Sequence, residues 1–177
     1  MRYHKWLLLT TVMGIMITTL SAQNKQSLVN EKRKVFDEIN ASPSLRKITL
    51  ENEDFLQHMT DGGGELVGYY NKDELVKMKE WIGLSQGNRS RMYYFRNNQL
   101  IMVVEKFNSF VPKGEGLDKS KTKTTYEGSY YFHNNKLINQ EVKGKRNFDD
   151  TRDVGSTLYR DAADNFRILS EKKKSLR

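Results

Sequence analysis

Apolar residues recur at helical spacing near both ends of the chain. Between residues 25 and 40 they form one stripe, which predicts an N-terminal helix that ends before Ser42-Pro43. A second stripe predicts a C-terminal helix capped by Ser156, with lysines at 172–174, where the helix dipole favours cations. The second stripe consists of Leu158, Ala162, Phe166 and Leu169.

The segment between these helices has the shorter period of strands. Alternation of polar and apolar residues predicts strands over 46–50 and 65–70. Residues 51–60 fit either a helical turn or a strand, and residues 61–64 form a glycine-rich turn.

A short internal helix is predicted after the second strand. Asn71 and Glu74 resemble a capping box, because they have the spacing of an N-cap and its N3 partner. The apolar residues that follow have helical spacing and end at Gly83, a suitable C-terminal cap. These apolar residues are Leu75, Met78 and Ile82.

The strongest local pattern is a repeat. Tyr93–Ile101 and Tyr130–Ile138 share the pattern Tyr-Tyr-Phe-x-Asn-Asn-x-Leu-Ile. Asparagine tolerates the positive φ that both central residues of a type I′ turn require, so each doublet predicts the tip of a β-hairpin. The expected cross-strand pairs are Phe95 with Leu100, Tyr94 with Ile101, Tyr93 with Met102, Phe132 with Leu137 and Tyr131 with Ile138.

These elements predict one α+β domain over residues 23–177. We expect an antiparallel sheet of about five to six strands made of hairpins. The sheet would be flanked by the N-terminal and C-terminal helices and by the short internal helix. The basic, glycine-containing stretch 111–121 is predicted to be a flexible loop between the two hairpins.

This order of elements resembles a family of exported bacterial proteins of the Bacteroidetes type with repeated Tyr-Tyr-Phe hairpins. The resemblance rests on residues 63–66, on Tyr69-Tyr70 and on the two hairpin motifs, and it spans about residues 25–170. Family members typically have Asn-Gly or Asp-Gly at the hairpin tips, where this chain has Asn-Asn. The resemblance implies the hairpin architecture, and it implies no activity.

Residues 1–22 have the pattern of a secretory signal peptide. A basic start precedes an uncharged, mostly apolar run over residues 6–20, and Ser21-Ala22 supplies small residues for a signal peptidase. The run of 15 residues is short against the roughly 20 needed to span hydrocarbon. We therefore expect cleavage beside Ala22, export to the periplasm or cell exterior, and no transmembrane anchor afterwards.

The amino-acid composition excludes several kinds of functional site. The chain contains no cysteine, which excludes disulfides, thiolate metal sites, cysteine nucleophiles and lipid attachment through an N-terminal cysteine. The formal net charge is +8, and Arg2 and Lys5 account for two of it, so residues 23–177 carry +6. This modest excess fits an ordinary mixed surface or an anionic partner, such as an envelope protein or an anionic glycan. Predicted export makes nucleic acid a poor candidate.

Tyrosine is abundant on the predicted strands. Adjacent strand residues point to opposite faces, so both faces of the sheet carry tyrosine. We expect one face to pack beneath both helices and the other to form an aromatic binding surface that includes Tyr69, Tyr94 and Tyr131. The alternative is that these tyrosines only pack against their neighbours within the sheet.

Motifs for catalysis are sparse. His58 lies four residues after Asp54, so on a helix the two side chains would share a face that could bind a metal, given further ligands. His133 belongs to an exposed hairpin tip, and the glycines at 62–64 lack the Gly-Lys-Ser/Thr of a phosphate loop. We therefore assign no catalytic residue, no metal ligand and no cofactor.

Three functional hypotheses follow from the sequence. The first is a non-enzymatic exported binding domain that uses an exposed aromatic sheet face. The second is a hydrolase or metal-dependent enzyme that uses His58 with nearby carboxylates. The third is an inhibitor or structural protein that acts through the basic segment 111–123. The thin catalytic inventory favours the first.

Overall fold

A computed structural model of the chain describes residues 4–56, 58, 60–146 and 153–176, with side chains from residue 23 onward. Its helices and strands are α1 His4–Ala41, β1 Arg46–Glu51, β2 Gly64–Asn71, β3 Glu74–Leu84, β4 Gly87–Arg96, β5 Gln99–Lys113, β6 Gly116–His133, β7 Lys136–Gly144 and α2 Val154–Ser175. Asn52–Asp54 form a short 3₁₀ helix within the segment that the sequence left undecided. Of the helices in the described residues, none has a stretch long and apolar enough to cross a membrane.

The strands form one antiparallel sheet in which every strand lies beside its neighbours in sequence. The predicted α+β class, the antiparallel hairpins and the two terminal helices are confirmed. The described sheet has seven strands, slightly more than the five to six expected. The difference arises because the residues of the predicted internal helix, between the Asn71 cap and Gly83, lie mostly in β3.

The predicted internal helix is wrong because a β-bulge imitates helical spacing. Tyr70 pairs with Leu75 and Tyr69 with Lys77, which leaves Val76 as the extra residue of the bulge. The bulge shifts the alternation by one residue, so Leu75 and Met78 lie in the same core cluster although they are three residues apart.

Both asparagine doublets form the predicted hairpin tips. The φ angles are 51° at Asn97 and 59° at Asn98, and they are 47° at Asn134 and 63° at Asn135. Each doublet connects its two strands as a two-residue loop. Positive φ at both central residues is what a type I′ turn needs.

The register predicted for these hairpins is correct only next to the tips. The confirmed pairs are Phe95 with Leu100 and Phe132 with Leu137. The next pairs are wrong, because Ile101 and Ile138 are extra residues at bulges like the one at Val76. The observed pairs are Tyr94 with Met102, Tyr93 with Val103 and Tyr131 with Asn139.

The two helices cover opposite faces of the sheet, which corrects the expectation that both would share one face. The core under α2 includes Leu50, Leu66, Met78, Tyr93, Val103, Tyr130, Leu158 and Leu169. The core under α1 includes Val29, Ile39, Val76, Tyr94, Ile101, Met102 and Tyr131. The bulged residues Val76 and Ile101 point toward α1, so the bulges supply apolar contacts for the N-terminal helix.

The N-cap of the C-terminal helix lies three residues before the predicted cap Ser156. Asp153 is the N-cap, and its Oδ1 accepts a hydrogen bond of 3.0 Å from the backbone N–H of Ser156. Ser156 was a plausible cap by residue type, but aspartate caps as well and precedes it. The preceding residues 147–152 lie outside the described residues.

Candidate interaction surface

Tyr94 and Tyr131, predicted to lie on an open binding face, are buried beneath α1. The ring of Phe36 lies 4.7 Å from the ring of Tyr94. The hydroxyl of Tyr131 accepts a hydrogen bond of 3.0 Å from Nε of Arg33. The prediction of an open aromatic binding surface is therefore wrong at Tyr94 and Tyr131, because α1 covers them.

Tyr69, the third tyrosine of the predicted binding surface, is half-buried. The ammonium groups of Lys47 and Lys77 lie 5.5 Å and 4.7 Å from the centre of its ring, so cations flank the aromatic face. Among the described side chains, the exposed large hydrophobic residues are Leu117, Val142 and Leu176. None of them is aromatic, so the described surface gives little support to the aromatic patch that the first hypothesis required.

His58 is exposed, and the described residues contain no cluster of three or more carboxylate or histidine groups that could hold a metal. The glycine stretch has a structural role. The backbone N–H of Gly62 donates to the carbonyl of Gly83 at 3.2 Å, and a Cβ on Gly62 would lie 2.7 Å from Cα of Gly83. Close backbone approach explains these glycines without a phosphate ligand.

The most heavily charged interior region lies between α2 and the sheet. Arg91 and Glu105 are fully buried, and Nε of Arg91 donates to Oε1 of Glu105 at 2.6 Å. Nη1 of Arg91 donates to Oδ2 of Asp161 on α2 at 2.7 Å, and Nε of Arg146 donates to Oε2 of Glu105 at 2.8 Å. We call these four residues, together with Glu80, the α2 ion cluster.

Glu80 is held by three further donors. Nη2 of Arg89 donates to Oε1 at 3.0 Å, and Nδ2 of Asn165 donates to Oε2 at 2.8 Å. The hydroxyl of Tyr93 lies 3.4 Å from Oε2, and burial raises the pKa of this hydroxyl. The carboxylate is therefore solvated by protein groups in place of water, as a buried charge requires.

The pKa values in the α2 ion cluster move in opposite directions. Burial acts to raise the pKa of Glu105, but hydrogen bonds and positive charge from Arg146 and Arg91 outweigh it and lower the pKa. Burial raises the pKa of Asp161 despite its pairing with Arg91. Perturbed carboxyl groups occur both at catalytic sites and in structural ion networks.

A cleft of about 400 Å³ opens beside the α2 ion cluster. Its lining is Phe55, Leu56, Glu80, Ile82, Arg89, Arg160, Asp161, Asp164, Asn165, Arg167 and Ile168. This lining contains no histidine, serine, threonine, cysteine or lysine, and the carboxylates of Glu80 and Asp161 are already bound by arginine or asparagine. The α2 ion cluster therefore connects α2 to the sheet through paired buried charges, as a structural ion network does.

The most prominent surface feature is a two-stranded ribbon that extends beyond the sheet. β4 begins at Gly87, opposite Ser109 of β5, and β7 ends at Gly144, opposite Tyr126 of β6. Past these points, β5 and β6 pair only with each other among the described strands. We call residues 111–123 the β-arm, and their strand pairing shows that the predicted flexible loop was wrong.

The β-arm is exposed and basic. Its lysines are Lys113, Lys119, Lys121 and Lys123, and all four are exposed. Its acidic residues are Glu115 and Asp118, so the β-arm carries a formal charge of +2. Oδ1 of Asp118 is engaged within the arm, where it accepts hydrogen bonds from the backbone N–H and the hydroxyl of Ser120.

Both edges of the β-arm are modified against further strand pairing. Pro112 lies on the β5 edge and cannot donate a backbone hydrogen bond. On the β6 edge, Val111 pairs with Asp118 and Phe110 with Thr122, so residues 119–121 form an irregularity in the ladder. Proline, bulges and lysine are the usual features that keep an exposed strand edge from aggregating.

A groove of about 420 Å³ lies at the root of the β-arm, where β7 ends. Its lining is Thr124, Thr125, Tyr126, Glu127, Lys143 and Gly144. Gly144 has a φ of +85°, and a Cβ there would lie 2.0 Å from the carbonyl oxygen of Thr125. Glycine is therefore required at this end of β7 for the strand to approach the arm so closely. We call this feature the root groove.

The sequence contained a signal for the β-arm. Lysines at 119, 121 and 123 alternate with serine or threonine, which is the period of a strand with two different faces. Glycine, proline and charge in the same segment indicated a loop instead.

Comparison of the chain with protein-family models, with curated proteins and with solved structures found no match.

Proposed function

We propose that this chain is an exported, non-enzymatic binding protein that holds an anionic partner on its β-arm. The observation that carries the proposal is the projection of a folded, four-lysine ribbon beyond the sheet. The proposal keeps the class of the first hypothesis and takes its binding surface from the third, because the aromatic face is covered by α1.

The shape of the β-arm supports a role in binding. A flexible basic loop loses conformational entropy when it binds, whereas a paired ribbon presents its lysines from an ordered backbone. Charged side chains at the end of a projecting element also attract an oppositely charged partner before contact.

Predicted export supports a partner in the cell envelope. The signal-like residues 1–22 would direct the chain across the cytoplasmic membrane, and α1 continues as a helix through Ala41. Cleavage beside Ala22 would leave Val29, Phe36 and Ile39 on the sheet, so the covered face would stay covered after export.

The test measures binding of the protein produced from the full chain to immobilised dextran sulfate and poly-L-glutamate, two polyanions of different chemistry. We expect binding that weakens steeply between about 50 mM and about 300 mM NaCl, since salt screens exposed charges. Replacing Lys119, Lys121 and Lys123 with glutamine should abolish most of this binding.

The matched control replaces three exposed lysines elsewhere, Lys25, Lys34 and Lys136, and makes the same change in net charge. If the two triple variants lose binding equally, net charge is responsible and the role proposed for the β-arm is wrong. If the protein binds neither polyanion at low salt, the proposed function itself is contradicted.

A further inference from the structure

Resting on the proposed function, we infer that the partner of the β-arm is an acidic polysaccharide, and that the root groove is the subsite that recognises its hydroxyl groups. The inference comes from two properties of the arm and its root: blocked backbone edges, and hydroxyl acceptors beside a cation.

The blocked edges direct recognition to side chains. An extended peptide that added a strand to the β-arm would need a continuous row of backbone donors and acceptors. Pro112 removes a donor from one edge, and the irregularity at residues 119–121 interrupts the other. A partner that contacts lysine and threonine side chains needs neither edge.

The root groove offers acceptors as well as a cation. The hydroxyl of Thr124 donates its hydrogen to Oδ1 of Asn108 at 2.7 Å, so toward a ligand its oxygen acts only as an acceptor. The hydroxyls of Thr125 and Ser109 lie 2.9 Å apart and share a hydrogen bond. A ligand that suits such oxygens must offer hydrogen-bond donors, and the hydroxyl groups of a sugar are donors of this kind.

The charges in the root groove complete the pattern. Glu127 is a negatively charged hydrogen-bond acceptor, and its Oε1 lies 2.8 Å from Nζ of Lys106. Lys143 lies opposite Glu127 in the strand register and its charge also acts on this carboxylate, so two ammonium groups, those of Lys106 and Lys143, lie near one carboxylate. Hydroxyl donors and carboxylate groups together occur in polymers of uronic acids. Poly-glutamate and polyphosphate carry charge without a series of hydroxyl donors.

Nucleic acid fits this surface less well. Proteins that bind single strands stack bases on exposed aromatic side chains. The described surface has none of these among its exposed large hydrophobic residues. The β-arm and the root groove instead combine lysine with threonine, a composition suited to a hydroxylated polyanion.

The experiment compares polygalacturonate with poly-L-glutamate and polyphosphate of matched charge, using the protein produced from the full chain. We expect polygalacturonate to bind about tenfold more tightly than the other two polymers. The double variant Thr124→Val, Thr125→Val should remove this preference and leave affinity for poly-L-glutamate unchanged. Lys143→Gln should weaken binding to all three polymers.

Thr49→Val is the matched control, because Thr49 is an exposed strand threonine at the opposite edge of the sheet. Circular dichroism of each variant checks that the fold is retained. Equal affinity for the three polymers, or a preference that survives the double threonine variant, would overturn the inference and leave the proposed function standing. If the protein binds none of the three polymers, both the inference and the proposed function are contradicted.

Discussion

Arg91 and Glu105 lie directly opposite each other on β4 and β5, and their buried side chains form a 2.6 Å hydrogen bond in the core under α2. Removing one partner leaves the other charge buried. We expect Arg91→Met to lower the free energy of unfolding by about 3–5 kcal/mol. Urea denaturation of the two proteins measures this difference.

The control for this prediction is Arg96→Met on the same strand. Arg96 forms a 3.5 Å ion pair with Glu38, and both side chains are about half exposed. Such pairs contribute about 0–1 kcal/mol. Equal losses in the two variants would show that the buried α2 ion cluster stabilises the fold no more than a surface pair does.

Acid should weaken the fold through Glu105. Its pKa is lowered in the folded state, so its contribution is complete above about pH 4.5 and is lost as the pH falls through the lowered pKa. Asp161 acts in the opposite sense, because its pKa is raised and its protonation relieves a cost of burial. We therefore expect Glu105→Gln to flatten the acid-induced loss of stability and Asp161→Asn to steepen it. Urea denaturation across this pH range gives the slopes, and unchanged slopes in both variants would rule out this assignment.

Glycine should stabilise the hairpin tips. Asn98 and Asn135 have φ angles of 59° and 63°, and glycine adopts such angles without a Cβ penalty. We expect Asn98→Gly and Asn135→Gly each to raise the free energy of unfolding by a few tenths to about 1 kcal/mol, as Asn-Gly is the preferred type I′ pair.

The comparison for the hairpin variants is Asn139→Gly, a change to the same residue inside β7. Asn139 pairs with Tyr131 and has no positive φ, so glycine there should destabilise the strand. Thermal unfolding ranks the three variants. A gain at Asn139 equal to the gains at the tips would contradict the explanation by turn geometry.

The proposed export predicts a specific mature N-terminus. When the full chain is produced in a Gram-negative host, we expect a product that begins beside Ala22 and is recovered from the periplasm or medium. Leu8→Arg should block this processing, because a charge interrupts the apolar run. Mass spectrometry of the purified product identifies the N-terminus. An uncleaved chain in the cytoplasmic fraction would contradict export.

Local patterns predicted the parts of the fold in which neighbouring residues decide the backbone. Each asparagine doublet forms a turn because two adjacent residues accept positive φ, and this choice needs no distant partner. The stripe of Leu158, Ala162, Phe166 and Leu169 predicted a helix for a similar reason, and all of these except the half-buried Phe166 are buried. The same kind of apolar spacing predicted the internal helix wrongly, because a bulge at Val76 gave the strand β3 the spacing of a helix.

The candidate surface was harder to predict, because it depends on where the strands end. The tyrosine pattern was real, but tyrosine on two faces does not indicate which face a helix covers. The β-arm exists because β5 and β6 continue past the ends of β4 and β7. That difference in length involves four separate strands and no single local motif.

By itself, the sequence determined the α+β class, the two terminal helices and the two asparagine turns, because these follow from periodicity and from the φ that each residue tolerates. Only the tertiary structure decided that α1 and α2 lie on opposite faces, that Tyr94 and Tyr131 are covered, and that the basic segment projects as a ribbon. These features depend on contacts between segments far apart in the chain, which minimise exposed apolar surface as a whole.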